Sequence, residues 1–382
     1  MEKEYDVIVV GAGLFGATTA RICHENGLKC VVLEKNTYIG GNCHDERREG
    51  INLHLYGPHI FHTSIPEVWR FANRFTQFNH FRYSPLAKFG DKFYNLPFNM
   101  HTFYQLYGTS TPEEAQAMIE RERQGFIHEI PTNLEEKAIS LVGERIYKTL
   151  IKGYTEKQWG RKCSELSPEI ISRIPVRFTF DNNYFNDVYQ GIPCDGYTTW
   201  ISNMLNGIEV LTNMDFLKDK EFWKSRGKTI VYTGPIDEYF NYELGSLEYR
   251  SLRWEHQTYE SRDMQGIAVI NHTDELTPYT RTIEHKHFEF GTQPLTIISK
   301  EYPQKWVRGS MPFYPVNNQM NHKLYEQYVQ MATNIEPTVY FCGRLGSYKY
   351  LDMDKTIKMA METASSIISA LRYSCESFPP KG

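Results

Sequence analysis

The pattern of apolar and polar positions begins with a buried strand that leads directly into a helix. Residues 7–10 are four successive β-branched residues, and such a run predicts a parallel strand covered on both faces. A turn at 11–16 follows, then a helical pattern rich in small residues and a second apolar run at 30–33. This order of strand, turn, helix and strand predicts the first β-α-β unit of a parallel sheet.

The turn has glycine at its first, third and sixth positions, and each glycine has its own predicted role. Gly11 permits the tight turn, Gly13 lets the backbone approach a pyrophosphate, and Gly16 lets the helix lie close to the strand. Phosphates would sit at the helix N-terminus, where unpaired N–H groups favour negative charge. Glu34, about 20 residues on, can accept a hydrogen bond from a ribose hydroxyl. The motif predicts a dinucleotide site, the alternative being a tight turn without a ligand.

The middle of the chain changes to a helical period. Between 66 and about 165, helix-like spacing is found at 99–107, 111–124 and 133–152, and a hairpin turn is predicted near 88–94. Ser110 or Thr111 before Pro112 is a typical N-terminal signal of a helix. This part of the chain is therefore predicted to be an inserted, largely helical domain.

The second half of the chain returns to strands. Residues 195–240 have α/β character, with strands at 208–212 and 229–234 that are predicted at another edge of the first sheet. Residues 246–310 alternate with period two, including the segment 277–288, and predict antiparallel strands. A late strand, which ends at Gly343, precedes a long amphipathic helix and can bring a second helix N-terminus to the same ligand.

Composition narrows the class of protein. A chain of 382 residues with net charge −4 predicts two or three domains and argues against a general nucleic-acid binder. No apolar run approaches the ~20 residues of a membrane span, and the first strand begins too early for a signal peptide. Seven cysteines without a C-x-x-C pair favour a reduced, cytoplasmic protein with neither disulfides nor zinc. The 26 tyrosines, many of them near arginines, suit planar bases and phosphates, or else fill cores.

Two further segments leave alternatives open. His59 and His62, with His54 upstream, lack a third metal ligand in register. His59 is therefore interpreted either as a partner of a cofactor carbonyl or as a core residue. The segment 167–177 has prolines near both ends and carries Arg173. It is either a mobile lid that closes over an anion or a plain linker.

Later motifs give the pattern its specificity. They include Tyr249-Arg250-Ser251, Tyr279-Thr280-Arg281, Phe313-Tyr314-Pro315-Val316, Gly343-Arg344-Leu345 and Tyr350-Leu351-Asp352-Met353. Further motifs lie at 11–16, 40–42, 57–62, 153–159, 173–177 and 283–288. With these motifs the chain resembles the bacterial UDP-galactopyranose mutases over nearly its whole length. The nucleotide-fold motifs recur in many flavoproteins, whereas the arginine and tyrosine motifs carry the resemblance.

The resemblance implies an α/β fold with an FAD-binding Rossmann-like domain, an inserted helical domain and an antiparallel β-sheet domain. The expected boundaries are 1–76, 195–245 and 310–375 for the FAD domain, 77–165 for the helical domain, and 166–194 with 246–309 for the sheet domain, whose mobile loop lies near 167–177. The implied reaction is ring contraction of UDP-galactopyranose to UDP-galactofuranose. In it, reduced flavin N5 attacks the anomeric carbon, and there is no net redox change.

The resemblance also implies the site residues. Arg173, Arg281 and His59 are the implied catalytic group, in which the arginines hold the diphosphate and His59 lies near the flavin. The implied substrate contacts are Tyr154 on uracil, Trp159 beside the sugar, Tyr314 and Tyr350 on the diphosphate, and Arg173, Tyr184, Arg250, Arg281, Arg344 and Asp352. The implied FAD contacts are Gly11, Gly13, Phe15, Gly16, Glu34, Lys35, Gly41, Asn42, His59, Gly343, Arg344 and Met353.

Other functions remain as alternatives at this point. An FAD-dependent amine-type oxidase or dehydrogenase fits the N-terminal motif alone, but such an enzyme needs no diphosphate clamp. A nucleotide-binding regulator without catalysis would need neither the arginines nor the tyrosines. A mutase acting on UDP-N-acetylgalactosamine is a further alternative. A cytoplasmic homodimer without metal is expected, with a role in the supply of galactofuranose to cell-surface polysaccharide.

Overall fold

The computed structural model describes residues 3–124, 130–171, 175–333 and 335–376. Its strands are β1 (Tyr5–Val10), β2 (Cys30–Leu33), β3 (Asp45–Arg48), β4 (Ile51–His54), β5 (Phe61–Thr63), β6 (Leu86–Phe89), β7 (Lys92–Asn95), β8 (Tyr189–Gly191), β9 (Glu209–Leu211), β10 (Gly227–Tyr232), β11 (Tyr249–Tyr259), β12 (Val269–His272), β13 (Arg281–Glu284), β14 (Thr296–Lys305), β15 (Tyr314–Pro315) and β16 (Thr338–Phe341). The helices are α1 (Leu14–Glu25), α2 (Pro66–Ala72), α3 (Met100–Tyr107), α4 (Pro112–Arg123), α5 (Leu134–Val142), α6 (Glu144–Ile146), α7 (Lys152–Trp159), α8 (Tyr197–Leu205), α9 (Lys220–Arg226), α10 (Ile236–Tyr239), α11 (Gln319–Met331), α12 (Gly343–Gly346) and α13 (Met353–Glu376).

A five-stranded parallel sheet forms the dinucleotide domain, in the order β16-β10-β1-β2-β9. Val7 and Val9 of β1 are buried under α1 and its partners α8 and α13 on one face of the sheet, whereas Ile8 is buried with Phe216 and Trp223 in a separate cluster. The predicted unit β1-α1-β2 is confirmed. The strand predicted at 229–234 is β10, which lies between β1 and β16 and is therefore not an edge strand as predicted. The strand predicted at 208–212 is β9, which does lie at an edge. The hydrophobic period of a segment does not report which strands pair with it, so the strand order depends on the tertiary structure.

The second sheet has seven strands in the order β15-β11-β14-β13-β12-β6-β7. Its long pair, β11 and β14, is antiparallel as predicted. The hairpin β6-β7, which comes from the helical part of the sequence, joins this sheet through a parallel pairing of β6 with β12. In the predicted segment 277–288, only β13 is a strand, and His285–Glu289 form a 3-10 turn. At the last residue of this strand, the Glu284 carboxylate accepts hydrogen bonds from three groups of other segments.

The helical part contains α3 to α7, and the predicted helix starts are visible as caps. The side chain of Thr111 accepts a hydrogen bond from the backbone of Glu114, and the Glu114 side chain accepts from Thr111 in return. Asn99 and Asn133 cap α3 and α5 in similar ways. Within the described residues, no helix is both long and apolar enough to cross a bilayer. The fold class is therefore the predicted one, while the exact domain boundaries stay a prediction.

Candidate functional site

A cavity of about 460 Å³ opens at the carboxyl ends of β1 and β2. It is lined by eleven of the twelve residues predicted for the cofactor: Gly11, Gly13, Phe15, Glu34, Lys35, Gly41, Asn42, His59, Gly343, Arg344 and Met353. The end of a parallel sheet is the usual place for a nucleotide in such folds. We call this space the dinucleotide cavity.

The glycines of the first turn are required by their surroundings. Gly11 has φ +106°, and a Cβ there would lie 2.1 Å from Oγ1 of Thr233. A Cβ on Gly16 would lie 2.0 Å from the carbonyl oxygen of Gly11, so Gly16 supports the turn from below and does not line the cavity. A Cβ on Gly13 would instead meet nothing closer than 3.8 Å and would project beside Gly41. Gly13 therefore leaves open space above the N-terminus of α1, as a bound pyrophosphate requires.

Glu34 does more than offer an acceptor to a ligand. Its buried carboxylate accepts hydrogen bonds from the backbone N–H of Ala12 at 2.9 Å and of Asn36 at 2.8 Å. These bonds fix the glycine turn against the end of β2. The carboxylate still lines the cavity, and its remaining lone pairs can accept from a ribose hydroxyl.

Sequence reasoning missed one wall of the dinucleotide cavity. The additional residues lie mainly after β9, after β10 and before β15: Met214, Asp215, Phe216, Leu217, Thr233, Gly234, Pro235, Glu238, Gly309, Ser310, Met311 and Pro312. The Gly-Pro at the end of β10 was the one available signal. Its position in the middle of the parallel sheet, next to β1, brings it to the cavity.

A second cavity of about 270 Å³ adjoins the first, and we call it the cleft. Asn42, His59, Arg344 and Met353 line both spaces. The cleft also contains six further residues predicted to bind substrate: Tyr154, Tyr184, Arg281, Tyr314, Tyr350 and Asp352. A ligand in the cleft therefore lies next to a ligand in the dinucleotide cavity, at the four shared residues.

Arg281 is fixed by a buried carboxylate on the neighbouring strand. It pairs with Glu301 in the register of β13 and β14, and its Nε donates to Oε1 at 2.9 Å while Nη2 donates to Oε2. Thr280 donates to Oε1 as well. Burial disfavours the charged guanidinium, but Glu301 more than offsets this, so the pKa of Arg281 lies well above its ordinary value. The cleft thus has a protonated guanidinium of fixed orientation, within a pair whose two charges balance.

Arg344 supplies a second guanidinium next to two tyrosine rings. Nη2 donates to the carbonyl of Leu351 at 2.9 Å, and Nη1 to that of Phe313 at 3.3 Å. The guanidinium carbon lies 5.7 Å from the Tyr314 ring centroid and 4.8 Å from that of Tyr350. Burial raises the pKa of Tyr314 to about 12, so its hydroxyl remains a hydrogen-bond donor at neutral pH. Two arginines and two tyrosines together can bind a diphosphate.

His59 is a neutral imidazole at the junction of the two cavities. Burial, with smaller contributions from His54 and Arg344, lowers its pKa to about 3. Its Nδ1 lies 2.9 Å from the carbonyl oxygen of Gly57, which can only accept, so Nδ1 carries the hydrogen. Nε2 is then an acceptor. Of the two interpretations left open by the sequence, the position at the cavity junction favours the contact with a cofactor.

Three predicted residues are not brought into the cleft by the described structure. Trp159 lines a separate space of about 300 Å³ beside Arg161 and Asn317. Arg250 donates to the carbonyls of Gln158 and Lys157 at the end of α7 and is absent from the cleft lining among the described residues. Arg173 lies outside the described residues. The roles of these three residues stay predictions.

The cleft also contains polar and aromatic residues that sequence reasoning left without a role. Among them are Tyr56, His62, Tyr83, Phe185 and Asn271. His62 belongs to a motif that the sequence did single out, but only as a doubtful metal ligand. Its actual partner, Asp187, lies 125 residues away, so no local pattern reveals the pair.

Comparison with known proteins finds relatives that match nearly the whole chain. Residues 149–350 match the family described as UDP-galactopyranose mutase, and residues 9–75 match an NAD(P)-binding Rossmann-like domain. A dTDP-fucopyranose mutase of Escherichia coli is 38% identical, covering 95% of this chain and 98% of the relative. A probable UDP-galactopyranose mutase of Klebsiella pneumoniae is 36% identical, covering 96% and 95%. A structure of reduced UDP-galactopyranose mutase superposes with a TM-score of 0.73 at 14% identity, covering 96% of both chains.

Proposed function

The chain belongs to the UDP-galactopyranose mutase family, and on that premise we propose that it converts UDP-galactopyranose to UDP-galactofuranose without net redox change. Membership makes the protein an isomerase of nucleotide sugars. The identity of the sugar and the course of the reaction are the proposed part. The observation that supports them best is the cleft, in which Arg281 and Arg344 lie beside the dinucleotide cavity.

The cofactor is FAD, and the residues of the dinucleotide cavity fit it. Gly13 leaves space for a pyrophosphate at the N-terminus of α1, and the carboxylate of Glu34 is placed for a ribose. Near the cleft, His59 and Met353 offer an imidazole and a thioether to the far end of the cofactor. When bound, the reduced flavin would supply the nucleophile, N5, for the anomeric carbon of the sugar.

The chain's own residues are proposed to hold the leaving group. Breaking the bond between the sugar and UDP places a full charge on the diphosphate, and fixed cations stabilise that charge. Arg281 and Arg344, with the hydroxyls of Tyr314 and Tyr350, would bind the phosphate oxygens and keep UDP in the cleft until it reattaches. From the resemblance alone, Arg173 would close over the same diphosphate.

A second substrate has a specific observation in its favour. The relative with 38% identity is named for dTDP-fucopyranose, a sugar that carries a methyl group where galactose carries a hydroxymethyl group. Phe185 and the ring of Tyr83 supply apolar surface in the cleft, which would suit such a methyl group. UDP-N-acetylgalactosamine stays the third candidate, and the dimer, the cytoplasmic location and the role in polysaccharide synthesis stay predictions.

The proposal predicts a specific product under anaerobic conditions. Enzyme with chemically reduced FAD, given UDP-galactopyranose, dTDP-fucopyranose or UDP-N-acetylgalactosamine in parallel, should give the furanose form at many turnovers per flavin. The products are separated by chromatography and identified by NMR, and kcat/KM is compared between the sugars. A higher value for dTDP-fucopyranose would replace the first substrate by the second. Consumption of one reductant or oxygen per turnover would contradict a mutase and favour an oxidase.

A further inference from the structure

His62 faces the cleft from a strand whose neighbours face the core. In β5, Phe61 and Thr63 are buried, and the alternation of a strand turns His62 to the opposite side. Its ring stacks on that of Phe185 with 3.6 Å between the centroids and 15° between the planes. His62 lies three residues after His59, on the same wall of the cleft. The ring is therefore held in one orientation next to the place where the two cavities meet.

A carboxylate fixes which nitrogen of His62 carries hydrogen. Nδ1 lies 2.6 Å from Oδ2 of Asp187, and the hydroxyl of Ser64 donates to the other carboxylate oxygen at 2.6 Å. Burial raises the pKa of Asp187, but the hydrogen bonds from Ser64 and His62 outweigh this and hold it below its ordinary value. The ionised carboxylate only accepts, so Nδ1 donates. For Nε2, no hydrogen-bond partner is found among the described residues, and the His62 side chain lines the cleft.

The proposed reaction requires a proton to change oxygens. In the pyranose form the anomeric carbon is bonded to O5, and in the furanose form to O4. The C1–O5 bond breaks, the C1–O4 bond forms, and the proton of the O4 hydroxyl ends on O5. The overall isomerisation needs no oxidant, reductant or other reactant. A group that can give and recover a proton beside the sugar would lower the barrier, typically by a factor of 10² to 10⁴ in rate.

We propose that His62, oriented by Asp187, carries this proton. As an imidazolium it donates from Nε2 to O5 while the pyranose ring opens, and it recovers a proton from the O4 hydroxyl while the furanose ring closes. Asp187 stabilises the positive charge throughout, as a carboxylate does for a catalytic imidazole. The inference rests on the proposed mutase activity and adds a catalytic residue to it.

Four other titratable groups of the cleft are less suited to the task. Burial lowers the pKa of His59 to about 3, so it does not hold a second proton near neutral pH. Burial raises the pKa of Tyr154, Tyr184 and Tyr314, so these hydroxyls give up a proton less readily than a free tyrosine. His62 differs from all four in having a carboxylate, that of Asp187, 2.6 Å from its ring nitrogen Nδ1.

Two substitutions separate proton transfer from support of the loop that carries Phe185. In His62→Asn, the amide nitrogen occupies the place of Nδ1 and retains the bond to Asp187, while the nitrogen in the cleft is lost. In His62→Gln, the amide reaches the place of Nε2 but does not accept and release a proton. We expect kcat to fall at least 100-fold in both variants. The Kd for the substrate, measured by calorimetry, should change less than fivefold in His62→Gln.

The controls make the outcomes distinct. His322→Asn, the same change at an exposed site on α11, should leave kcat unaltered, and flavin content from visible absorbance checks that each variant is intact. Wild-type kcat in His62→Asn would overturn the proposal and leave Asp187 as an anchor of the loop. A variant that loses kcat and substrate affinity equally would overturn it too, because His62 would then only bind. A wild type without mutase activity on any of the three sugars would instead refute the proposed function.

Discussion

At the scale of single residues, the cleft depends on charges that are fixed before a substrate arrives. Glu301 is fully buried and uses both oxygens to hold Arg281. An arginine held in this way keeps its orientation without help from the ligand, so less entropy is lost when a phosphate binds. The same pair makes the fold sensitive to the loss of Arg281, because a buried carboxylate without its partner lowers the free energy of unfolding.

Replacement of Arg281 should separate these two effects. In Arg281→Ala, the loss of the buried pair should cost about 3 kcal/mol of stability, and kcat/KM should fall at least 100-fold. In Arg281→Lys, one ammonium cannot hold both Glu301 and a phosphate, so we expect a smaller loss of stability but a rise in KM of about tenfold or more. Thermal unfolding and steady-state kinetics measure the two quantities. Full activity of Arg281→Ala would remove Arg281 from the diphosphate site.

At the scale of elements, α7 is attached closely to the loop between β12 and β13. A Cβ on Gly153 would lie 2.3 Å from the carbonyl oxygen of Thr273, so only glycine allows this approach. One turn later, Nζ of Lys157 donates to three carbonyls of the same loop, those of His272, Thr277 and Tyr279, at 2.9 to 3.2 Å. Through these contacts the helix that carries Tyr154 and the strand that carries Arg281 act as one unit.

The variant Lys157→Met should loosen that unit without touching the cleft. Methionine keeps the length of the side chain but leaves three carbonyls without their donor, which should cost about 2 kcal/mol. We expect a lower Tm and a KM raised several-fold, with a smaller change in kcat. Lys148→Met is the matched control, because Lys148 is exposed and its ion pair with Glu144 is a surface one. Unchanged KM in Lys157→Met would show that Tyr154 is positioned by other contacts.

At the scale of the whole molecule, the dinucleotide cavity joins parts of the chain that are far apart in sequence. Its lining extends from Val10 to Thr356 and includes the ends of β1, β2 and β10 together with α12 and α13. A ligand bound there contacts several segments at once and binds only the folded chain. It should therefore stabilise the entire fold.

Removal of FAD should lower Tm, and its return should restore it. At a free FAD concentration of 100 times Kd, the expected gain is about 2.7 kcal/mol. In Gly13→Ala, the methyl group fits the fold but enters the space above α1, so this variant should lose the gain while its flavin-free Tm stays at the wild-type value. In Gly16→Ala, the Cβ would meet the Gly11 carbonyl, and the flavin-free Tm itself should fall. Differential scanning calorimetry with and without FAD distinguishes the variants. If FAD raised the Tm of Gly13→Ala as much as that of the wild type, the assignment of Gly13 to the pyrophosphate site would be contradicted.

Features that depend on neighbours in sequence were predictable. The strand β1, the glycine turn, the cap at Thr111 and the hairpin β6-β7 follow from local residue types and their period. The motifs also named eleven residues that line the dinucleotide cavity and seven substrate candidates that line the cleft, and the contacts of these residues with a ligand stay predictions. The place of β10 inside its sheet and the end of β13 at Glu284 were predicted wrongly, because both depend on partners from other segments.

The sequence by itself thus determined the fold class, the dinucleotide turn and a set of arginines and tyrosines suited to a diphosphate. Tertiary structure alone decided that Arg281 is held by Glu301, that Trp159 and Arg250 lie apart from the cleft, and that Asp187 orients His62. The physical reason is that the period of a segment reports which of its faces is buried, whereas the identity of the segment that covers this face depends on the packing of the whole chain.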